Sequence, residues 1–304
     1  PRPRRLKVNR CRHASRVPGA LPGETVGARI IKVTPSYAIA KVIEIVTPSP
    51  ERVKSACPVF ARCGGCGLWH LDYRSQLEQK QQWVADALER LGGFERVPMQ
   101  PIIGMSEPTR YRNKGSFPFG TLDHAVVFGF YAARSHRLVP FDDCPIQDAR
   151  IVDVAQRVAA WTNDFGVPAY DETTGTGQLR HVVARTTANG ECMVTVVTRG
   201  PLKQKDGLLS YLSDCESVWH NENPKSTNVI FGERFTLLSG SPALTETIAG
   251  KRFFVGPQSF LQVNRVQTQA LYETAKEFLA PEPDETVVDA YCGVGTISLL
   301  IADS

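Results

Sequence analysis

The chain has 304 residues, 42% hydrophobic and 22% charged, with a formal net charge of +4. That composition is ordinary soluble globular material, long enough for two or three domains, and it excludes a disordered chain and a disulfide-dense scaffold. No stretch approaches the ~20 apolar residues of a membrane span, so no membrane partner is expected, and without a signal peptide the expected setting is the reducing cytoplasm.

In chain order, residues 1–16 carry seven Arg or Lys and no Asp or Glu. Such a segment either holds phosphates electrostatically or is a solvated basic tail. Residues 21–47, LPGETVGARIIKVTPSYAIAKVIEIVT, show short β-branched runs broken by Pro and Gly. This pattern predicts a small antiparallel barrel, giving a first domain over 1–50.

The linker Pro48-Ser49-Pro50 leads into ACPVFARCGGCGLWH, where Cys57, Cys63 and Cys66 converge only if the backbone wraps tightly; Gly64-Gly65 permit that. Thiolate ligands favour zinc or an iron–sulfur cluster. The C-x5-C-x2-C spacing with a remote Cys144 in FDDCPIQ lacks paired C-x2-C knuckles, and Cys57 and Cys144 each precede proline. The expectation is a cluster on these four thiols rather than zinc. Buried thiols packing as small hydrophobes are the alternative; Cys11, Cys192, Cys215 and Cys292 lie singly. The run YRSQLEQKQQWVADALERLGG then places Leu77, Val84, Leu88 and Leu91 at helical spacing and ends in Gly92-Gly93, closing a second domain over 51–100.

From 101 to 255 a central α+β domain is expected. Its strands are AVVFGFYA, HVVART, CMVTVVTR, STNVIFG and RFTLLSG, and its helix is ARIVDVAQRVAAWTNDF. Arg110, Arg112 and Lys114, with Tyr111 between them, are candidates for phosphate contact and base stacking. QSFLQVNRVQTQALYETAKEFLA is a turn into a helix from Val266 to Leu279.

In ETVVDAYCGVGTISLLIA, a buried strand through Val287 and Val288 ends at Asp289 and passes through Gly293 and Gly295 into an apolar helix. A first strand-to-helix turn of this kind docks nucleotide-like ligands. The absence of a third glycine argues against a dinucleotide and for S-adenosylmethionine; a structural crossover is the alternative. This opens a further α/β domain over 256–304. The sequence stops just after the apolar run TISLLIA, so further chain is expected on the C-terminal side.

Together these motifs resemble the RNA (uracil-5-)-methyltransferase family, the 23S ribosomal RNA and transfer RNA 5-methyluridine enzymes, in their iron–sulfur branch. The resemblance runs from about Leu21 to the end. It rests on CPVFARCGGCGLWHLDYRSQLEQK, YRNKGSFPFG, GFYAARSHRLVPFDDCPI, LRHVVART, NENPKSTNVIFG, SFLQVNRVQTQALY and DAYCGVGT. It implies a TRAM-like (OB-like) barrel ending at SPERV, a central domain with the cluster loop, and the start of a Rossmann-like class I methyltransferase domain. It further implies a 4Fe-4S cluster on Cys57, Cys63, Cys66 and Cys144, and S-adenosylmethionine against Gln262, Asp289, Tyr291, Gly293, Gly295 and Thr296. Thr296 departs from the asparagine common in the family. Phe260 would approach the target base, and Arg112 and Lys114 the RNA.

Carbon 5 of uracil is a poor nucleophile. A thiolate adding at carbon 6 generates an enolate that accepts the methyl group, and a base then removes the carbon 5 proton. The family's S-C-N-P motif for that thiolate does not occur in this sequence, and Cys292 lies in the cofactor turn, where the resemblance gives it no covalent role. No catalytic residue is therefore assigned within the chain, which by itself is expected to be inactive. The expected whole is a monomeric methyltransferase acting on 23S ribosomal RNA. Transfer RNA is the alternative substrate, and a non-catalytic iron–sulfur RNA-binding protein or an electron-transfer module are the alternative functions.

Overall fold

A computed structural model describes residues 4–7, 15–35, 37–282 and 284–302. The chain divides into two compact units, residues 1–102 and 103–304.

In the first unit, β1 (Arg4–Lys7), β2 (Ser15–Arg16), β3 (Thr25–Val33) and β4 (Ala38–Thr47) form one sheet in the order β1-β3-β4-β2. Two parts of the basic segment thus have strand backbone, Arg4–Lys7 antiparallel to β3 and Ser15–Arg16 parallel to β4; the rest of it lies outside the described residues. β3 and β4 pair as the alternation implies, with three register shifts that bend the ribbon. Among the described residues β1 and β2 are the sheet's edges, so the expected small antiparallel barrel is described only as a four-stranded sheet. Val26, Ala28 and Ala40 make its small core.

Glu24, wholly buried, joins this sheet to the following turn. Its carboxylate accepts from Leu21 N (2.8 Å), Ser49 N (3.2 Å) and Arg52 Nε (2.5 Å). Burial opposes its ionisation, but the hydrogen bonds from Arg52, Leu21 and Ser49 outweigh that and hold the pKa below the usual value. Helix α1 (Tyr73–Arg90) begins where Asp72 accepts from Ser75 N at 3.0 Å. It ends at the glycine pair, with Gly92 N donating to the Ala87 carbonyl and Gly93 at φ +69°.

The second unit is built on a seven-stranded mixed sheet in the order β11-β10-β9-β8-β5-β6-β7. Its strands are β5 (Lys114–Leu122), β6 (Ala125–Tyr131), β7 (Leu138–Pro140), β8 (Leu179–Thr186), β9 (Cys192–Thr198), β10 (Ser217–Glu222) and β11 (Arg234–Gly240). Helix α2 (Ala149–Asp164) follows β7, and α3 (Lys205–Tyr211) makes the crossover that the one parallel pair, β9 with β10, requires. Asp148 caps α2 by accepting from Arg150 N. The stripe Ile151, Val154, Ala155, Val158 and Trp161 is buried, each large side chain contributing about 1.5–3 kcal/mol. A Cβ on Gly115 would strike Ile151, so β5 and α2 pack closely there. Phe117, Phe128, Phe130 and Phe141 form an aromatic cluster beside this contact.

A hairpin, β12 (Leu244–Ile248) and β13 (Lys251–Val255), leads to α4 (Arg265–Leu279) and α5 (Thr296–Ile301). These elements share a core of Ile248, Phe253, Val255, Leu261 and Tyr272, with Ile297 and Leu300 packed on it.

Two expected strands do not form. STNVIFG is irregular because side chains occupy the carbonyls that a strand would pair. Asn223 Nδ2 donates to Val229 and Ile230, Asn221 Nδ2 to Gly232, and the Arg180 guanidinium to Asn223, Lys225 and Thr227. The Val287–Val288 segment has no regular secondary structure and no strand partner among the described residues, and Val288 is 80% exposed. A buried parallel strand needs neighbours on both edges, and none of the described strands pairs with it.

Candidate functional site

The loop Gly256–Asn264, which contains SFLQVN, is pinned by its backbone. Ser259 O accepts from Arg185 Nη2 at 2.6 Å, Gln262 O from Asn113 Nδ2 at 3.3 Å, and Val263 O from Asn113 N at 2.9 Å. Leu261 enters the α4–α5 core. Asn264 Oδ1 then accepts from Gln267 N and caps α4. With carbonyls and Leu261 turned inward, Phe260 stands 75% exposed and Gln262 is exposed beside it.

Asn113 lies between Arg112 and Lys114, so this loop and the YRNK run meet. Arg112 bridges through its backbone to Gln147 and Asn264. Lys114 opens β5 directly opposite Arg185 of β8, and burial, with the positive charge of Arg185, lowers the Lys114 pKa. Burial also lowers that of Arg185, against the attraction of Glu246. The buried Glu246 accepts from Ala188 N at 2.9 Å and pairs with Arg265 at 3.4 Å. Arg110 has a different place: its guanidinium grips Asp143 through two bonds, 2.7 and 2.6 Å, and donates to the Cys144 and Gln147 carbonyls. That fork is a local brace, leaving Arg112 and Lys114 as the other cations of the run.

In the glycine turn, Gly293 and Gly295 have φ of +57° and +77°, and a Cβ on either would meet open space. The glycines serve the backbone conformation. Asp289 accepts from Ser298 Oγ (2.8 Å) and Tyr291 N (3.3 Å), Tyr291 is 98% exposed, and buried Thr296 donates to Tyr272 Oη at 3.1 Å. Because Leu261, Ile297 and Leu300 share one core, the Phe260–Gln262 loop and this turn belong to one packed assembly.

The loop of Cys57, Cys63 and Cys66 closes around the buried Val59, whose carbonyl accepts from Arg62 N and Cys63 N. Phe60 packs on His70 with ring centroids 5.2 Å apart, and Cys63 Sγ accepts from Gly65 N at 3.3 Å. Cys144 is a buried thiol of the second unit. Among the described residues no group of three or more His, Cys, Asp or Glu is placed to hold a metal ion. Three of the thiols in the expected cluster lie in the first unit and Cys144 in the second, and the cluster stays an expectation of the resemblance.

No protein-family profile matches the chain. It is 44% identical over 292 residues to an uncharacterized RNA methyltransferase of Halalkalibacterium halodurans, covering 94% of this chain and 64% of that protein. An uncharacterized RNA methyltransferase of Clostridium tetani is 41% identical with the same coverage of this chain and 63% of its own length. Its curated relatives carry the name RNA methyltransferase. Among solved structures it matches the Pyrococcus abyssi tRNA (uracil-54, C5)-methyltransferase in complex with S-adenosyl-L-homocysteine, with TM-score 0.73 and 26% identity over 94% of this chain and 65% of that one. The chain thus spans just under two thirds of the proteins it resembles.

Sequence reasoning singles out Phe260, Gln262, Arg112 and Lys114; it does not reach Arg185 and Asn113, whose bonds pin the loop, or the buried Glu246. The signal for Arg185 was present: a charged residue inside the β-branched run HVVART requires a specific partner when buried.

Proposed function

We propose that this chain is the RNA-presenting part, with the opening of the cofactor site, of an S-adenosylmethionine-dependent methyltransferase acting on uracil C5 in RNA. One observation carries the reading: an exposed Phe260 and Gln262 stand on a pinned loop that shares its core with the Asp289–Thr296 glycine turn. The RNA methyltransferase relatives support it.

A uracil in folded RNA must leave its stack before its C5 can react, at a cost of a few kcal/mol. Phe260 offers a face on which the base stacks, offsetting about 1–3 kcal/mol of that. Arg112 and Lys114 hold the flanking phosphates. Gln262, Asp289, Tyr291, Gly293, Gly295 and Thr296 are the residues assigned to S-adenosylmethionine, which supplies the methyl group when bound. The open space over the glycine turn and the exposed Tyr291 ring suit an adenosyl group. The thiol that adds at C6 and the base that takes the C5 proton are assigned to no residue of this chain. The 4Fe-4S cluster has no step in this proposal.

The substrate proposed is 23S ribosomal RNA, on the resemblance of the cysteine loop to that branch. Transfer RNA is the second reading, favoured by the likeness to the Pyrococcus abyssi enzyme. Residues 1–50 and 101–255 are assigned to RNA, 51–100 to support of the cysteine loop, and 256–304 to the cofactor side. The reading takes the protein as a cytoplasmic monomer; no described helix is long and apolar enough to cross a membrane. Methyl transfer from labelled S-adenosylmethionine to unmodified 23S ribosomal RNA and to transfer RNA, by protein from the complete gene, tests it. Label in 5-methyluridine of one RNA is expected.

A further inference from the structure

We infer that Arg185 is a positioning residue whose bond to the Ser259 carbonyl holds the neighbouring Phe260 ring out toward a single-stranded base. This rests on the proposed role of Phe260.

Three observations converge on Arg185. It is only 4% exposed, yet sits directly across from Lys114, and like charges opposite one another on adjacent strands oppose folding. An arginine kept for packing alone would be better replaced by an apolar residue in this strand. Its reach ends on a backbone carbonyl of the loop, Ser259 O, at 2.6 Å, a charge-assisted bond of the stronger kind. Ser259 is the residue before Phe260, and Leu261 on the other side is anchored in the α4–α5 core.

Fixing residues 259 and 261 leaves the backbone at 260 little freedom. The Phe260 side chain must then project away from both anchors, and it is 75% exposed. A phenylalanine in that state gains nothing from burial in the free protein, so packing does not hold its place; the carbonyl bond does. Prepositioning an aromatic lowers the ordering cost when a base stacks on it. Glu246, with its bond to Ala188 N and its pair with Arg265, supplies the negative charge that lets Arg185 remain buried.

The test measures binding of the 304-residue chain to a short single-stranded RNA containing one uridine and to the same RNA with an abasic site there. In the unsubstituted chain the base should improve affinity about tenfold, as stacking on one aromatic does, and Phe260→Ala should abolish that preference. Arg185→Met should reduce it to within twofold of the abasic RNA while leaving affinity for the abasic RNA unchanged, and Arg185→Lys should restore part of it. A merely structural arginine would weaken both RNAs alike. Arg185→Met with the full uridine preference, or equal losses on both RNAs, overturns the positioning role alone. No uridine preference in the unsubstituted chain overturns the Phe260 reading and this inference with it. Should Arg185→Met not fold, Arg185→Lys decides: a selective loss of uridine preference supports the inference and an undiminished preference overturns it.

Discussion

Replacing Glu246 by Gln tests whether the charge network behind the Phe260 loop is as tightly held as its geometry indicates. The carboxylate accepts from Ala188 N at 2.9 Å and Thr247 N at 3.0 Å, pairs with Arg265 at 3.4 Å, and attracts the buried Arg185 electrostatically. Glutamine keeps the shape and one carbonyl acceptor but removes the charge. Hydrogen bonds to a charged acceptor contribute ~1.5–3 kcal/mol against ~1 for neutral ones, so two of them lose about 2 kcal/mol together. Losing the pair with Arg265 and the attraction on Arg185 brings the total to about 3 kcal/mol, at the lower end for breaking a buried pair. Hydrogen exchange read by mass spectrometry across a urea series resolves peptides of the second unit from those of the first. The expected result is a second unit destabilised by about 3 kcal/mol, with the fastest-exchanging amides of 256–264 the most affected. A change below ~0.5 kcal/mol, the range of inconsequential surface substitutions, would refute the network's role.

Phe260→Ala should leave the unfolding transition within about 0.5 kcal/mol of the unsubstituted protein, since the ring is exposed, while weakening RNA binding; calorimetry and a binding titration read the two effects. Arg52→Met strands the buried Glu24 carboxylate and should destabilise the first unit by about 3–5 kcal/mol, seen as early exchange of residues 20–53. His181, held neutral by burial and the nearby Arg180, has its pKa lowered from 6.5 to about 4. The unfolded chain takes up this proton first, so stability is retained above pH 6.5, declines as the pH falls toward 4, and is lower by about 2 kcal/mol at pH 5. His181→Gln should flatten that part of a Tm-against-pH curve, and an unchanged slope would show that other groups cause it. Gly177→Ala should destabilise by more than ~1 kcal/mol in urea, because the position has φ +92° and a Cβ would collide with the Ala169 carbonyl.

Much of the second unit was legible because its elements have clear periods. The stripe from Ile151 to Trp161 repeats at helical spacing, and β6, β8, β9 and β11 follow β-branched or aromatic runs. The glycine pair that ends α1 was legible from residue type alone, and Gly93 has φ +69°. What failed depended on long-range partners. STNVIFG has strand composition, but Arg180, Asn221 and Asn223 take its carbonyls. Val287 and Val288 have the apolarity of a buried strand and no described strand beside them. Cys192 and Cys215, single in sequence, share a hydrogen bond across the fold, which pushes the Cys192 thiol up.

The most direct measurement is the position of label after incubating RNA with methyl-labelled S-adenosylmethionine and the protein from the complete gene, digesting to nucleosides and separating them. The account predicts label in 5-methyluridine, lost in the Phe260→Ala protein while binding to abasic RNA persists. Label on another atom or base, or none in either ribosomal or transfer RNA from folded protein that binds both, would contradict it.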